Sequence, residues 1–204
     1  MQLAKVTGPA HAIMRGERIG LNLLARLSGI ATQAYEILNA ARAAGFNGTI
    51  AGSRKTTPGF RIFEKYALIV AQCDTHRYDL SSCVMLKDNH IDLVGSIDEA
   101  IKRARSLMSF TQKLHVECRS LADALEALKA GADIVMLDNM GPVESQSTAK
   151  EIKETFPKAT VEISGGINIT NIHLFSQSAD TIDVISLGSL TQGYSSIDFS
   201  LKIL

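Results

Sequence analysis

Arg54 and Lys55 stand side by side in GSRKTTPG (52–59), His76 and Arg77 in THRYDL (75–80), and Lys87 opens KDNH (87–90). Further along, Glu117 lies in LHVEC (114–118), Asp138 closes IVMLD (134–138), Ser164-Gly165-Gly166 ends and follows TVEIS (160–164), and Gly188 follows DVISL. Guanidinium forks match the paired oxygens of carboxylates and phosphates, and carboxylates hold hard divalent cations. Glycine turns after strands leave backbone N–H groups free to surround a phosphate. A basic set beside an acidic set therefore suits a ligand with several anionic groups and a bound divalent cation. GxGxxG and GxxxxGK[ST] are absent, so dinucleotide and P-loop binding have no motif here.

Those groups sit at the ends of short apolar runs. TIAG (49–52), VMLK (84–87), LHVEC, IVMLD, TVEIS and DVISLG (183–188) alternate with amphipathic segments at 60–71, 96–108, 120–131, 143–156 and 168–175. Short β-branched runs separated by amphipathic segments predict parallel strands joined by crossover helices. Ahead of them, Leu24, Leu27, Ala31, Ala34, Leu38 and Ala41 repeat at helical spacing, one or two helices with Gly29 as a candidate break and Gly45 as the stop. The fold class is α/β. A β/α barrel (TIM-like) and an open doubly wound sheet both satisfy the alternation. The barrel is favoured because strand carboxyl ends there open on one catalytic face, and six elements would deliver polar or glycine residues to it. Blander roles stand beside this reading: Arg77 as a surface partner of Asp74 or Asp79, His76 as a structural hydrogen-bonding residue, and Gly165-Gly166 as an ordinary turn.

The 204 residues fit a single domain, 1–204, with 1–45 as a helical lead-in, and 21 basic residues balance 21 acidic ones. No global field draws the chain to nucleic acid or an anionic membrane, and the stripe of Lys102, Arg103 and Arg105 lacks interleaved aromatics. No run reaches the roughly 18 apolar residues of a membrane span. Cys73, Cys83 and Cys118 show no zinc spacing and read as packing residues in a reducing compartment. A cytoplasmic protein is the expectation.

GSRKTTPGFRIFEKYA, HRYDL, MLKDNHI, VEC, GADIVMLDNM, ISGGI and IDVISLGSLT, in this order, resemble the quinolinate phosphoribosyltransferases across nearly the whole chain, the animal forms above all. The resemblance implies a phosphoribosyltransferase-type barrel, assembly as a homo-oligomer (dimer or hexamer), and Mg²⁺ as cofactor. The implied reaction moves a phosphoribosyl group from phosphoribosyl pyrophosphate to quinolinate and releases CO₂, pyrophosphate and nicotinate mononucleotide. By the same motifs, Arg54, His76, Arg77 and Lys87 would hold the quinolinate carboxylates, with Arg18 of RGER reaching from a neighbouring subunit. Lys55 would lie beside both substrates, Glu117 and Asp138 would face the ribose hydroxyls and the magnesium-pyrophosphate, and Ser164, Gly165, Gly166 and Gly188 would cradle the 5-phosphate.

Two departures from the family pattern are local: VAQCDTHR replaces glycines usually found before the His-Arg pair, and Ile163 replaces an alanine before Ser-Gly-Gly. A third is length, since the family's N-terminal domain is not represented, which predicts an exposed apolar barrel surface prone to self-association. Three readings follow: a competent transferase, a non-catalytic isoform that binds ligand or a full-length subunit, and a different barrel enzyme acting on a phosphorylated substrate.

Overall fold

The computed structural model describes residues 1–177 and 180–203. Ala10–Ala43 form one unbroken helix, α1, whose buried stripe is Ile30, Ala34, Ile37, Leu38 and Ala41, the i, i+4, i+7 spacing of a single face. Gly29 is not a break. A Cβ there would overlap the Ser195 carbonyl oxygen, so the glycine lets the C-terminal segment run flush against the helix, where the Ile197 N–H donates to the Ala25 carbonyl at 3.1 Å. The first half of α1 is largely exposed, Met14, Ile19 and Leu24 included.

Among the described residues six strands follow: β1 Thr49–Ala51, β2 Val84–Leu86, β3 Leu114–Cys118, β4 Ile134–Asp138, β5 Thr160–Ser164 and β6 Val184–Ser186. All pairings are parallel, in the order β1-β6-β5-β4-β3-β2. The connections carry α2 Arg61–Val70, α3 Asp88–Val94, α4 Ile97–Leu107, α5 Leu121–Lys129, α6 Pro142–Thr155 and α7 Ile172–Ser176. Two elements differ from expectation. Residues 88–94 form α3 where only a strand end was foreseen, the Lys87 N–H donating to His90 Nδ1 at 2.9 Å across its first turn. The helix after β5 is only α7, because Asn168 and Asn171 side chains accept the N–H groups of Thr170 and Asn168 and hold the preceding residues in turns.

The sheet is curled into a barrel wall. Asp74 bridges Ala51 outside β1. In a flat sheet with strands about 4.8 Å apart, that segment and β3 would lie on the order of 20 Å apart, yet the rings of His76 and His115 are stacked with centroids 5.8 Å apart. One seam carries no ladder among the described residues, the one between the 74–76 segment and β2. Arg77 Nη1 spans it by donating to the Cys83 carbonyl at 3.3 Å.

Register divides each strand into two faces. Glu117 pairs with Met136, Met136 with Glu162, and Asp138 with Ser164, so His115, Glu117, Asp138, Glu162 and Ser164 share the inward face. The outward residues Leu114, Val116, Leu137, Val161, Ile163 and Ile185 are fully buried under Ile101, Ala127, Ile152 and Ile172 of the helices. Each large side chain there contributes about 1.5–3 kcal/mol. The apolar core thus lies between sheet and helices, while the inside of the wall is polar. The two-sided apolar covering usual for parallel strands does not hold at these inward positions.

Candidate active site

The carboxyl ends of the strands gather the residues singled out above. After β1, the chain forms the 52–57 loop. The Thr56 N–H donates to the Arg54 carbonyl at 2.9 Å and the Lys55 N–H to Ser53 Oγ at 3.1 Å. Two buried charged residues on α2 back this loop. Glu64, wholly buried, accepts the Thr57 N–H at 3.1 Å and Arg26 Nη2 of α1 at 2.6 Å, and Arg26 also donates to Thr57 Oγ1. Lys65 donates to the Ser53 carbonyl at 3.2 Å and to the Thr75 carbonyl. Thr57 is therefore tied into the scaffold rather than turned toward a ligand. Sequence reading passed over both Glu64 and Lys65; two adjacent charges opening toward a helix's apolar stripe were the signal.

The charges of Arg54 and Arg77 feel each other. Arg54 Nε is buried and meets no hydrogen-bond acceptor among the described residues. Burial first, then the Arg54 charge, pushes the Arg77 guanidinium below its usual proton affinity. Neither has a carboxylate ion-pair partner among the described residues; Arg77 pairs with neither Asp74 nor Asp79, and Asp74 Oδ1 instead accepts the His76 N–H at 2.5 Å. Two half-buried guanidiniums within electrostatic reach of each other suit an anion that carries at least two negative charges.

His76 has a left-handed backbone, φ 56°, a conformation uncommon for side-chain-bearing residues. Its Nδ1 accepts the Arg77 N–H at 2.7 Å, which places the ring proton on Nε2, 3.3 Å from Glu162 Oε1. Glu162 also accepts from Ser186 Oγ at 2.5 Å and lies 3.5 Å from His115 Nε2. Burial pushes the His115 imidazole down to about 4, so it is neutral. His76, His115 and Glu162 offer atoms within 4.8 Å of one another, the spacing of a metal centre. The tautomer argues against one: His76 Nε2 holds its proton, because Nδ1 is occupied by a backbone donor. The period-2 alternation of LHVEC and TVEIS, with His115 and Glu162 mid-strand, was the sequence signal for this buried polar layer.

Opposite the guanidiniums stand Glu117 and Asp138. Lys87 Nζ pairs with Glu117, so this lysine sits with the acidic group rather than with Arg54 and Arg77. Burial first, then the Glu117 charge, raises the Asp138 carboxyl above the usual range, while Asn139 Nδ2 (2.5 Å), Lys87 and Lys55 oppose the shift. Lys55 crosses Gly188: a Cβ there would lie 2.9 Å from Lys55 Cδ, and Thr191 Oγ1 donates to the Lys55 carbonyl at 2.7 Å. Gly165 and Gly166 both have positive φ, 103° and 65°, and a Cβ on Gly165 would overlap Asn139 Oδ1. The N–H groups of Gly165, Gly166 and Gly188 meet no protein acceptor among the described residues, the property an anion cradle needs. Ser164 Oγ donates to the Ser186 carbonyl at 3.4 Å.

Arg18 is not brought to this mouth. It is exposed on α1, eight residues before Arg26, or about 12 Å further along the helix axis. The three thiols fit their packing role, burial raising each above its ordinary proton affinity, Cys73 to about 11.

The comparisons with known proteins agree with this geometry. The family described as Quinolinate phosphoribosyl transferase, C-terminal domain, matches residues 30–202. The chain belongs to that family. It is 50% identical over 202 residues to the human nicotinate-nucleotide pyrophosphorylase [carboxylating], covering 99% of this chain and 67% of the human protein. It is 44% identical over 198 residues to the probable enzyme of that name from Methanothermobacter thermautotrophicus, covering 96% and 70%. Among solved structures, NadC from Streptococcus pyogenes superposes with a TM-score of 0.86 at 41% identity, covering 96% of this chain and 66% of that one. The chain thus spans about two thirds of the length of the family members it matches.

Proposed function

We propose that the chain carries the phosphoribosyl-transfer site of a decarboxylating quinolinate phosphoribosyltransferase. The observation that carries the reading is that Arg54 and Arg77, two half-buried guanidiniums within electrostatic reach of each other, have no carboxylate partner among the described residues, at the same mouth as a carboxylate pair and a glycine cradle. A pyridine dicarboxylate supplies the two charges that the guanidiniums lack. Lys55, between Gly188 and the acidic pair, lies where the 5-phosphate and pyrophosphate of phosphoribosyl pyrophosphate would meet.

In this reading the quinolinate nitrogen attacks C1 of the ribose with its own lone pair, and the bond from C1 to the pyrophosphate oxygen breaks. No side chain has to remove a proton. Positive charge develops on the ribose, and Glu117 and Asp138 stabilise it from inward strand positions fixed by register. Arg54 and Arg77 hold the ring carboxylates aligned. The carboxylate at C2 then leaves as CO₂, the electron pair of the broken C–C bond staying at C2, where the adjacent pyridinium nitrogen stabilises it until C2 takes a proton from water. Mg²⁺ suits the donor set: Asp138 and Glu117 provide hard oxygens whose mutual repulsion a divalent cation relieves, and with Glu117 paired to Lys87, Asp138 is the freer ligand. When bound, the ion would neutralise the departing pyrophosphate. Arg18 would complete the dicarboxylate clamp from a second copy in a homo-oligomer, consistent with its position beyond this mouth.

Formation of nicotinate mononucleotide from quinolinate, phosphoribosyl pyrophosphate and Mg²⁺, abolished in Arg54→Ala, tests the proposal. Quinolinate binding without product would move the assignment to a ligand-binding chain that needs a full-length partner.

A further inference from the structure

Lys65 is 3% exposed and has no carboxylate within ion-pair distance among the described residues. Its neighbours on α2 and in the two loops are Arg61, Arg54 and Asp74, two cations and one anion. A buried ammonium beside two guanidiniums works against stability, so a purely structural account of the residue is incomplete.

The ammonium hydrogen-bonds two carbonyls, one of the residue immediately before Arg54 and one of the residue two before Arg77. Ser53 precedes Arg54 and Thr75 precedes His76-Arg77. The two loops already touch at their bases, where the Gly52 N–H donates to the Asp74 carbonyl at 2.8 Å. Lys65 ties them a second time, one residue further out, and so fixes the rotation of one loop against the other. Its stem rises from α2, the helix connecting the two loops in sequence, so helix, loops and ammonium form a closed frame. We infer that Lys65 is a positioning residue of the dicarboxylate clamp, which sets the separation of Arg54 from Arg77 by holding the Ser53 and Thr75 carbonyls on a single ammonium group. A lysine supplies three donors on a compact centre that can reach two carbonyls from different loops at once. Its role as a clamp-positioning residue rests on the function proposed above, but the tie itself does not.

The test is Lys65→Met, which keeps the stem volume and removes every donor, with Lys65→Gln made alongside as the folded comparison should the methionine chain not accumulate. Amide hydrogen exchange of the unliganded protein reads the tie directly at Thr56, Thr57, His76 and Arg77. Exchange should quicken about tenfold or more in both loops together, the loss of one charge-assisted hydrogen bond per loop. With substrates, the KM for quinolinate should rise about tenfold while that for phosphoribosyl pyrophosphate stays within about twofold. The melting temperature should not fall in step, because an unpaired buried charge is removed as well. Exchange that is unchanged, or faster in only one loop, overturns the tie. Faster exchange in both loops with quinolinate and phosphoribosyl pyrophosphate affected equally overturns the positioning role. If the unmodified chain forms no product, the proposed function fails, and the exchange measurement still decides the tie.

Discussion

Asp138, at the end of β4, shares the inward face of the wall with Glu117 on neighbouring β3, and burial together with the Glu117 charge raises its proton affinity. A carboxyl whose folded pKa lies above its unfolded value binds its proton more tightly in the fold. That contribution is fully present below the unfolded value of 3.8 and is lost as pH rises through the folded one. At neutral pH the ionised Asp138 is therefore a local cost of the fold. Asp138→Asn should melt at a higher temperature than the unmodified chain at pH 7, with the gap closing below about pH 4, and should lose product formation. Thermal melts across pH read the first; an equal or lower melting temperature at pH 7 would refute it.

Acid sensitivity should come from the polar layer beneath the mouth. His115 drops from 6.5 to about 4 on folding, so its neutral form is favoured and stability is lost as pH falls through that window. The loss amounts to as much as about 3 kcal/mol from this group. His115→Gln should flatten denaturation midpoints between pH 6.5 and 4 relative to the parent. A slope identical to the parent's would assign the acid sensitivity elsewhere.

Gln72 ends α2 with φ 61°, while the Cys73 N–H reaches back to the Leu68 carbonyl at 2.9 Å, the left-handed termination that glycine favours. A glycine there would adopt this conformation without the local cost that Gln72 bears. Gln72→Gly should stabilise the chain by about 0.5–1 kcal/mol in denaturant titrations, without altering substrate KM values.

Gly165→Ala should do the opposite. With φ 103°, and a Cβ that would stand 2.8 Å from the Asn139 backbone nitrogen, the substitution strains the turn and displaces the Asn139 contact. A loss of about 2–4 kcal/mol in stability is expected. The affinity for phosphoribosyl pyrophosphate should fall more than that for quinolinate, which titration calorimetry with each ligand separates.

Lys65 offers a proton-linked signal. Burial, then Arg61, lowers it to about 8. A dianion bound between Arg54 and Arg77 would raise it again, so quinolinate binding near pH 8 should take up a fraction of a proton. Calorimetry in buffers of different ionisation enthalpy measures the uptake, which should vanish in Lys65→Met.

Much of this architecture was legible in the chain. LHVEC, IVMLD and TVEIS became strands at those residues, and Glu117, Asp138 and Ser164 reached one mouth because the ends of parallel strands point the same way. Less was legible where contacts are remote in sequence. Nothing near Gly29 announces Ser195, and nothing near Lys87 announces Glu117, thirty residues on. His76 read as a ligand contact from its motif, yet both of its ring nitrogens face protein groups, a fact that depends on a strand 86 residues later. Lys65 was passed over, because beyond the two adjacent charges of Glu64 and Lys65 nothing in the sequence announces that it is buried.

The split of each strand into an apolar outer face and a polar inner one has a consequence for how such a chain can change. Residues that keep the protein folded and residues that give it chemistry alternate along the same five-residue stretches, yet touch different neighbours. An inward position can therefore be exchanged, as histidine for carboxylate or serine for threonine, with little penalty to the packing outside the wall. New ligand preferences could then be explored on the inner surface one position at a time, the outer shell serving as a constant scaffold.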